Sequence, residues 1–355
     1  MSGTTTVGYL GLDHHHAEPY LQSLARLPVE VTCAAEPDES FTVDSVGSLG
    51  TDATLYRSYE ALLEEADVDV AWITLSNRET PGVVRAAAER GIDVYAEKPM
   101  ARTAADLEPV VDAVDRHGVT VAASYPWRAH PIARELRRRA EAGFFGDLRA
   151  VFARFVASGL AHRDTSHYLF DDASSRGGIL QWLGVHWIDL VPWILGDPIV
   201  RVTARTSCGT PDVDVEDGMD LQFETSSGAL GTLQSGYYLR EGQYDTAVEI
   251  YGTDGRASWD PMGRTFGFDG ETTLELDSDD DAWASSPHRT ITYDYEPTPG
   301  YGGQWGIEFM QAFLDARTGQ GSVGAGLDDA LEVLRVLDAA YESAEADRPV
   351  RVEGR

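Results

Sequence analysis

Between Val7 and Ser124, strand-length apolar runs alternate with amphipathic helical segments without a break, and this alternation constrains the fold more than any other feature of the chain. Val7 to Leu12, Val29 to Ala35, Val68 to Leu75, Asp93 to Ala96 and Val119 to Ser124 read as strands. Pro19 to Leu27, Ser58 to Glu65, Pro81 to Arg90 and Ala104 to His117 carry apolar residues at helical spacing. Successive strands joined through helices must run parallel, because each helix returns the chain to the edge where the last strand began. The reading is a doubly wound parallel sheet, the Rossmann architecture, over residues 1–124.

From about residue 147 the pattern turns β-rich: Leu148 to Val156, Val200 to Thr206, Met219 to Glu224, Ala229 to Leu239 and Thr246 to Tyr251, interrupted by one strongly apolar helix from Gly178 to Leu195. Gly306 to Arg317 and Leu327 to Ser343 read as amphipathic helices and Pro349 to Val352 as a closing strand. Residues 125–355 are therefore expected to form an α+β domain with a large, mostly antiparallel open sheet. Its Trp, Tyr and Phe side chains suggest burial by a second copy, hence a homo-oligomer, dimer or tetramer.

The 355 residues carry 59 acidic and 28 basic side chains, a formal charge of −31. Such a chain repels nucleic acid and anionic membranes. Spread along the whole sequence, the acidity suits a surface that stays hydrated in concentrated salt, where screening removes self-repulsion within a few ångströms. Two cysteines, Cys33 and Cys208, make no disulfide framework and no ligand spacing, which fits a reducing compartment. The start of the chain lacks a basic region ahead of an apolar run, and no long uninterrupted apolar stretch follows. A cytoplasmic protein that neither crosses a membrane nor leaves the cell is the expectation.

At the first β-α junction, Gly8-Tyr9-Leu10-Gly11-Leu12-Asp13-His14-His15-His16 keeps only the first glycine of the G-x-G-x-x-G dinucleotide fingerprint, with Asp13 and His16 where the other two belong. A carboxylate there opposes a diphosphate, so cofactor affinity at this atypical loop is open. Three consecutive histidines on a helix point about 100° apart and cannot share one ion. The expectation is therefore no metal, with the rings packing at the helix start or one of them, His14, near the cofactor phosphates. Glu36, directly after the second strand and about 20 residues beyond the loop, is placed to accept from the adenine ribose and favours NAD over NADP. Asp277-Ser278-Asp279-Asp280-Asp281 has alternate aspartates, but Ala282 and His288 replace the glycine and glutamate that a calcium loop requires; a solvated acidic turn is expected.

Of the 28 basic residues, 27 are arginine and one is lysine, Lys98. A lone lysine suggests work that arginine does badly: a compact ammonium whose pKa can shift beside a substrate oxygen. It lies at the end of a predicted parallel strand, where such sheets place ligands.

Glu97-Lys98-Pro99 there, with Ile73-Thr74-Leu75-Ser76-Asn77 upstream, resembles the Gfo/Idh/MocA family, named for glucose-fructose oxidoreductase, inositol dehydrogenase and a rhizopine-catabolism protein. Tyr125-Pro126-Trp127-Arg128-Ala129-His130-Pro131, the glycine-led segment Gly177-Gly178-Ile179 through His186-Trp187-Ile188-Asp189, and Glu249 to Gly255 extend the resemblance over nearly the whole chain. It implies a nicotinamide-dependent oxidoreductase acting on a secondary alcohol of a sugar, polyol or sugar acid, with Lys98 and His186 catalytic. Gly11, Asp13, His14, Glu36, Ser76, Asn77, Glu97 and Lys98 would meet NAD. Lys98, Arg128, Arg163, His167, Trp182 and His186 would meet substrate, and Arg176 is a further candidate for a substrate carboxylate.

The family's helix carries an aspartate four residues before the histidine; here that position is Trp182, and neighbouring Gln181 is no base. His186 would then act alone, oriented by Asp189, with Trp182 a stacking platform. Otherwise the reaction has changed, to a lyase- or glycosidase-like activity that recycles NAD or to ligand binding without turnover. One outcome follows from charge alone: the melting temperature should rise between dilute and molar potassium chloride. An unchanged value removes the salt-adapted reading.

Overall fold

A computed structural model describes residues 4–43, 48, 52–210, 213–262, 271–294 and 296–354. The chain divides into two compact units, one of 1–129 with 298–331 and one of 130–297 with 332–355.

The first unit is built on a six-stranded sheet of β1 (Thr5–Leu10), β2 (Val29–Ala35), β3 (Thr54–Tyr56), β4 (Val70–Ile73), β5 (Asp93–Ala96) and β6 (Val121–Ala123). All neighbours are parallel, in the order β3-β2-β1-β4-β5-β6. Strand order therefore reverses between β1 and β4, and the crevice beyond their C-terminal ends is where such sheets bind ligands. Helices α1 (Ala17–Leu24), α2 (Tyr59–Glu65), α3 (Thr80–Ala88) and α4 (Ala104–His117) make the connections. Helix α4 shows how locally these are specified: Thr103 and Asp106 form a reciprocal capping box, and Gly118 ends the helix in the left-handed conformation.

Helix α8 (Gly303–Ala316) lies in the stretch 298–331 that packs with residues 1–129 in this unit. The parallel sheet needs apolar cover, and α8 supplies it with Phe309, Met310 and Phe313, all almost fully buried. Phe313 meets Tyr95 edge-on with ring centroids 5.6 Å apart. Arg317 donates to Asp93 (3.0 Å) and to Thr5 (3.0 Å). The Ala123 N–H donates to the Ala325 carbonyl.

The second unit is a nine-stranded sheet with β7 (Leu148–Ser158), β8 (Ile199–Ser207), β9 (Gly218–Thr225), β10 (Leu230–Leu239), β11 (Tyr244–Gly252), β12 (Gly255–Trp259), β13 (Glu271–Ser278), β14 (His288–Asp294) and β15 (Val350–Arg351). The order is β14-β13-β12-β11-β7-β10-β9-β8-β15, with β7 and β10 the one parallel pair. The sequence pattern had marked neither β3 nor β12 to β14. β14 is an edge strand that exposes every second residue, so it carries little of the hydrophobic alternation by which strands are recognised. Residues 277–281 end β13, where His288 on β14 faces Asp277 across 3.0 Å and Asp280 accepts the Ala282 N–H.

Helices α5 (Pro131–Glu141) and α7 (Val185–Leu195) pack together in this unit. The stretch Asp172–Leu195 is long and apolar enough to cross a membrane, and 83% of that apolar window is buried inside the protein, as in a core helix. Trp187 anchors α7 to the sheet, donating from Nε1 to the Arg154 carbonyl (2.8 Å) and meeting Phe155 at 4.9 Å. Phe152, Leu230 and Tyr238 are 52, 63 and 56% exposed on the central strands.

His130 opens α5, its Nδ1 accepting the Ile132 N–H (3.1 Å) while its ring packs on Trp259. Full burial pushes this imidazole down to about 3 from 6.5. The unfolded chain takes up a proton below pH 6.5 that the folded chain refuses until about pH 3, so stability is complete above that window and lost on acidification through it. His130→Asn keeps a capping acceptor and removes the titration. Its stability in denaturant melts should fall less steeply from pH 6 to pH 3 than that of the parent, by up to about 1.4 kcal/mol per pH unit.

Candidate functional site

Strand β1 delivers its chain to the switch point at Gly11, where φ is +95° and a side chain is ruled out: a Cβ would lie 2.3 Å from the Thr74 carbonyl oxygen. Thr74, after β4, donates from Oγ1 to the Gly11 carbonyl (2.6 Å), and the Gly11 N–H donates to Ala35 at the end of β2 (3.1 Å). Three adjacent strand ends are thereby locked round the turn. Glu36 follows β2 and is buried; its Oε2 accepts the N–H groups of Leu12 (2.8 Å) and Asp13 (3.2 Å), and its Oε1 that of Asp38 (3.1 Å). A carboxylate offers about four acceptor positions, so Glu36 braces the loop and keeps capacity for a ribose hydroxyl.

The turn, the switch point and Glu36 together fit a dinucleotide. Asp13, which stands where a glycine is usual, is exposed and contributes its backbone to Glu36. Ser76 and Asn77, at 7 and 2% exposure, begin the turn into α3, where Ser76 Oγ accepts the Glu79 N–H and donates to the Glu79 carboxylate.

The three histidines lie ahead of α1, which starts at Ala17, so the helical spacing that should have separated them does not apply. His14 is buried, its Nδ1 accepting the His16 N–H (3.0 Å). Among the described residues His14, His15 and His16 form a group whose ring nitrogens lie within 4.8 Å of one another, close enough to share a cation.

Lys98 ends the run after β5 and is 4% exposed, joined to Pro99 by a cis peptide bond. Its Nζ lies 3.8 Å from Glu97 Oε1, which also accepts the Lys98 N–H (3.1 Å). Burial pushes the ammonium below its ordinary range against the pull of Glu97. Glu97 is buried, and Tyr20 donates to its Oε2 at 2.6 Å while His16 Nδ1 faces the same oxygen at 3.2 Å. Burial favours the protonated acid, but His16 first, then Lys98 and His14, outweigh it and hold the carboxyl well below its usual range.

Tyr20 and Ser124 were not singled out in the sequence. Tyr20 follows His16 by one helical turn and bonds Glu97, and Ser124 leaves β6, 2.5 Å from the Tyr20 hydroxyl; only these contacts mark them.

In the second unit the glycine-led segment has a structural cause. A Cβ on Gly178 would lie 2.0 Å from the Glu216 carbonyl oxygen, and the buried Glu216 carboxylate accepts the N–H groups of Gly178 (2.7 Å) and Leu180 (3.1 Å) and the Tyr341 hydroxyl (3.0 Å). Glu216, one acid in an acidic run, gave no sequence signal. Between Gly178 and α7, Leu180–Gly184 winds as a π-helix, the Val185 N–H reaching back five residues to Leu180. Such a turn takes about one residue more than an α turn. The place one turn before His186 is therefore shared by Gln181 and Trp182, both buried, and strict four-residue stacking does not hold.

His186 is 5% exposed, its ring near-parallel to Phe155 at 6.4 Å, and Asp189 is buried on the same helix. Trp182 meets His167 edge-on at 6.4 Å, and Arg163 lies over the Tyr237 ring at 4.9 Å while donating to the Ser158 carbonyl. The two other arginines considered for a substrate carboxylate each have an internal acidic partner. Arg128 donates to Asp329 (2.9 Å) and to the Gly324 carbonyl (3.1 Å), tying 298–331 into the first unit. Arg176 pairs with Asp338 and lies over Tyr341.

Residues 5–125 match the family described as "Oxidoreductase family, NAD-binding Rossmann fold", and residues 133–258 match the GFO/IDH/MocA C-terminal domain. The chain belongs to the Gfo/Idh/MocA oxidoreductase family. It is 31% identical over 327 residues to D-xylose 1-dehydrogenase (NADP(+)) 2 of Haloferax volcanii, covering 91% of this chain and 92% of that one. Inositol 2-dehydrogenase 2 of Saccharopolyspora erythraea is 27% identical over 73% of each chain. Levoglucosan dehydrogenase in complex with NADH and levoglucosan shares the fold with a TM-score of 0.86 at 21% identity, over 98% of this chain and 99% of that one. This member of the family is thus a nicotinamide-dependent, NAD(P)-type oxidoreductase.

Because Glu36 both braces the loop and would repel a 2′-phosphate, Glu36→Ala should weaken NAD binding by roughly tenfold and narrow the preference for NAD over NADP. Calorimetric titration with each dinucleotide checks both; an unchanged preference takes Glu36 out of the ribose site.

Proposed function

We propose that this protein is a sugar or polyol dehydrogenase that oxidises a secondary alcohol, or reduces the matching ketone, with Lys98 polarising the substrate oxygen and His186 exchanging its proton. When bound, the nicotinamide accepts or gives the hydride at C4; the chain supplies position, charge and proton transfer. The observation that carries this reading is the chain's single lysine, buried at a strand end beside an ionised carboxylate and shifted below its usual range. At alkaline pH the ammonium deprotonates and its pull on the oxygen is lost, so activity should fall at a pH below the lysine value of 10.5.

Trp182 and His167 offer an aromatic wall that suits a sugar face, and Arg163 a cation for a sugar acid. D-Xylose is the first substrate to assay, by analogy with the Haloferax volcanii relative. Relatives named as dehydrogenases support net redox turnover over NAD recycling or simple ligand binding. The reading includes a salt-adapted, cytoplasmic protein, in line with the charge of −31 and with Cys33 and Cys208 as free thiols. It also includes self-association through the sheet that exposes Phe152, Leu230 and Tyr238.

In steady-state assays with D-xylose and NAD in molar potassium chloride, Lys98→Met and His186→Ala should each lower turnover by roughly 100-fold to 10,000-fold. NAD affinity should change little. Full turnover in both variants overturns the assigned roles.

A further inference from the structure

Glu97 is shared. One carboxylate oxygen, Oε1, serves Lys98, accepting its N–H at 3.1 Å with Nζ 3.8 Å away. The other, Oε2, serves the start of α1, with the Tyr20 hydroxyl at 2.6 Å and His16 Nδ1 at 3.2 Å. Behind Tyr20 the chain of hydroxyls continues: Ser124 Oγ lies 2.5 Å from the Tyr20 hydroxyl and accepts from Tyr95 at 3.1 Å. Tyr301 closes the group, its ring 4.4 Å from His16 and 4.5 Å from Tyr20. Among the described residues, the groups facing Glu97 within this unit are His14 and His16 from the loop, Tyr9 from β1, Tyr20 from α1, Tyr95 from β5, Tyr301 ahead of α8, and Lys98 itself.

We propose that His16 and Tyr20 are positioning residues for Lys98, acting through Glu97: the two groups on Oε2 set how much negative charge Oε1 presents to the ammonium. This deepens the proposed function and rests on Lys98 being the polarising group. It also gives the His16 position a purpose. Where the dinucleotide fingerprint has a glycine, this chain has a side chain that links the cofactor loop to the lysine.

The physical argument is charge sharing in a dry site. A buried carboxylate that accepts strong hydrogen bonds on one oxygen carries less free negative potential at the other, and the effect is large because no water screens it. Burial alone lowers the lysine, and Glu97 opposes that. Every donor taken from Oε2 leaves Glu97 a stronger partner for Lys98 and raises the lysine; removing the carboxylate charge lowers it.

The single lysine makes the test direct. Full-length protein grown on lysine labelled with carbon-13 at Cε gives one lysine side-chain resonance, and its pH titration belongs to Lys98 without any substrate. Glu97→Gln should move the midpoint down by about one pH unit or more. Tyr20→Phe, which keeps the buried ring, and His16→Leu should each move it up by roughly half a unit. Opposite movements are the signature, since a structural role for Tyr20 or His16 would leave the midpoint where it is.

Each variant decides for its own residue, and His16→Leu lies outside the packed core should Tyr20→Phe not fold. A midpoint unchanged or lowered in both overturns the proposal. Turnover retained in Lys98→Met overturns the functional reading instead, and the titration is blind to that.

Discussion

Taking Glu97 out of water has to be compensated by neighbours, because a buried carboxylate without donors would protonate. Much of the first unit meets at that oxygen pair: the loop after β1 through His16, helix α1 through Tyr20, whose hydroxyl also meets Ser124 at the end of β6, and Lys98 on the carboxylate's own strand end. The aromatic rings that carry these hydroxyls also form the core. Trp72 stacks on Tyr95 at 3.9 Å and meets Tyr20 edge-on, so the polar network is held rigid by the packing that keeps it dry. Loss of Tyr20 or Tyr95 therefore disturbs both the charge balance and the core, and this couples the catalytic lysine proposed above to the integrity of the sheet.

The second unit solves a related problem with Glu216. Its carboxylate takes the N–H groups at the start of the π-helix that leads into His186, so donors that would otherwise be buried unpaired are satisfied by one side chain. The same residue's backbone excludes a side chain at Gly178. Burial raises Glu216 while Glu97 is lowered, and the difference follows from their neighbours: Glu97 faces an ammonium and imidazoles, whereas Glu216 has backbone amides and a tyrosine hydroxyl. Two buried acids thus hold opposite protonation tendencies, one suited to polarising a cation and one to fixing a helix start.

What could be read from the chain was what repeats or stands alone. The β-α alternation repeats, and it led to the parallel sheet; Lys98 stands alone among arginines, and it led to the strand end that the family motif also marks. Side chains whose meaning depends on a distant partner were silent. Tyr20 and Ser124 are 104 positions apart and Glu216 lies 38 beyond Gly178, with nothing in the local pattern to connect them. The pairing of Arg128 with Asp329, 201 positions away, is equally silent. For the histidine run the local pattern misleads in another way, because helical geometry does not hold for residues that precede the helix.

The replacement of the family aspartate also looks different once the helix is seen. On a regular α-helix, Trp182 would occupy the aspartate's place directly, and the loss of a carboxylate would be a simple subtraction. The π turn shifts the register, so Gln181 and Trp182 divide that place, one amide and one indole, neither able to take a proton from His186. In the proposed mechanism acidic help for His186 would have to come from elsewhere, and Asp189, buried on the same helix, is the carboxylate nearest to it in sequence. The proposed stabilisation of the substrate oxygen then rests on the chain's single lysine, whose partner Glu97 also accepts from the Tyr20 hydroxyl and faces His16.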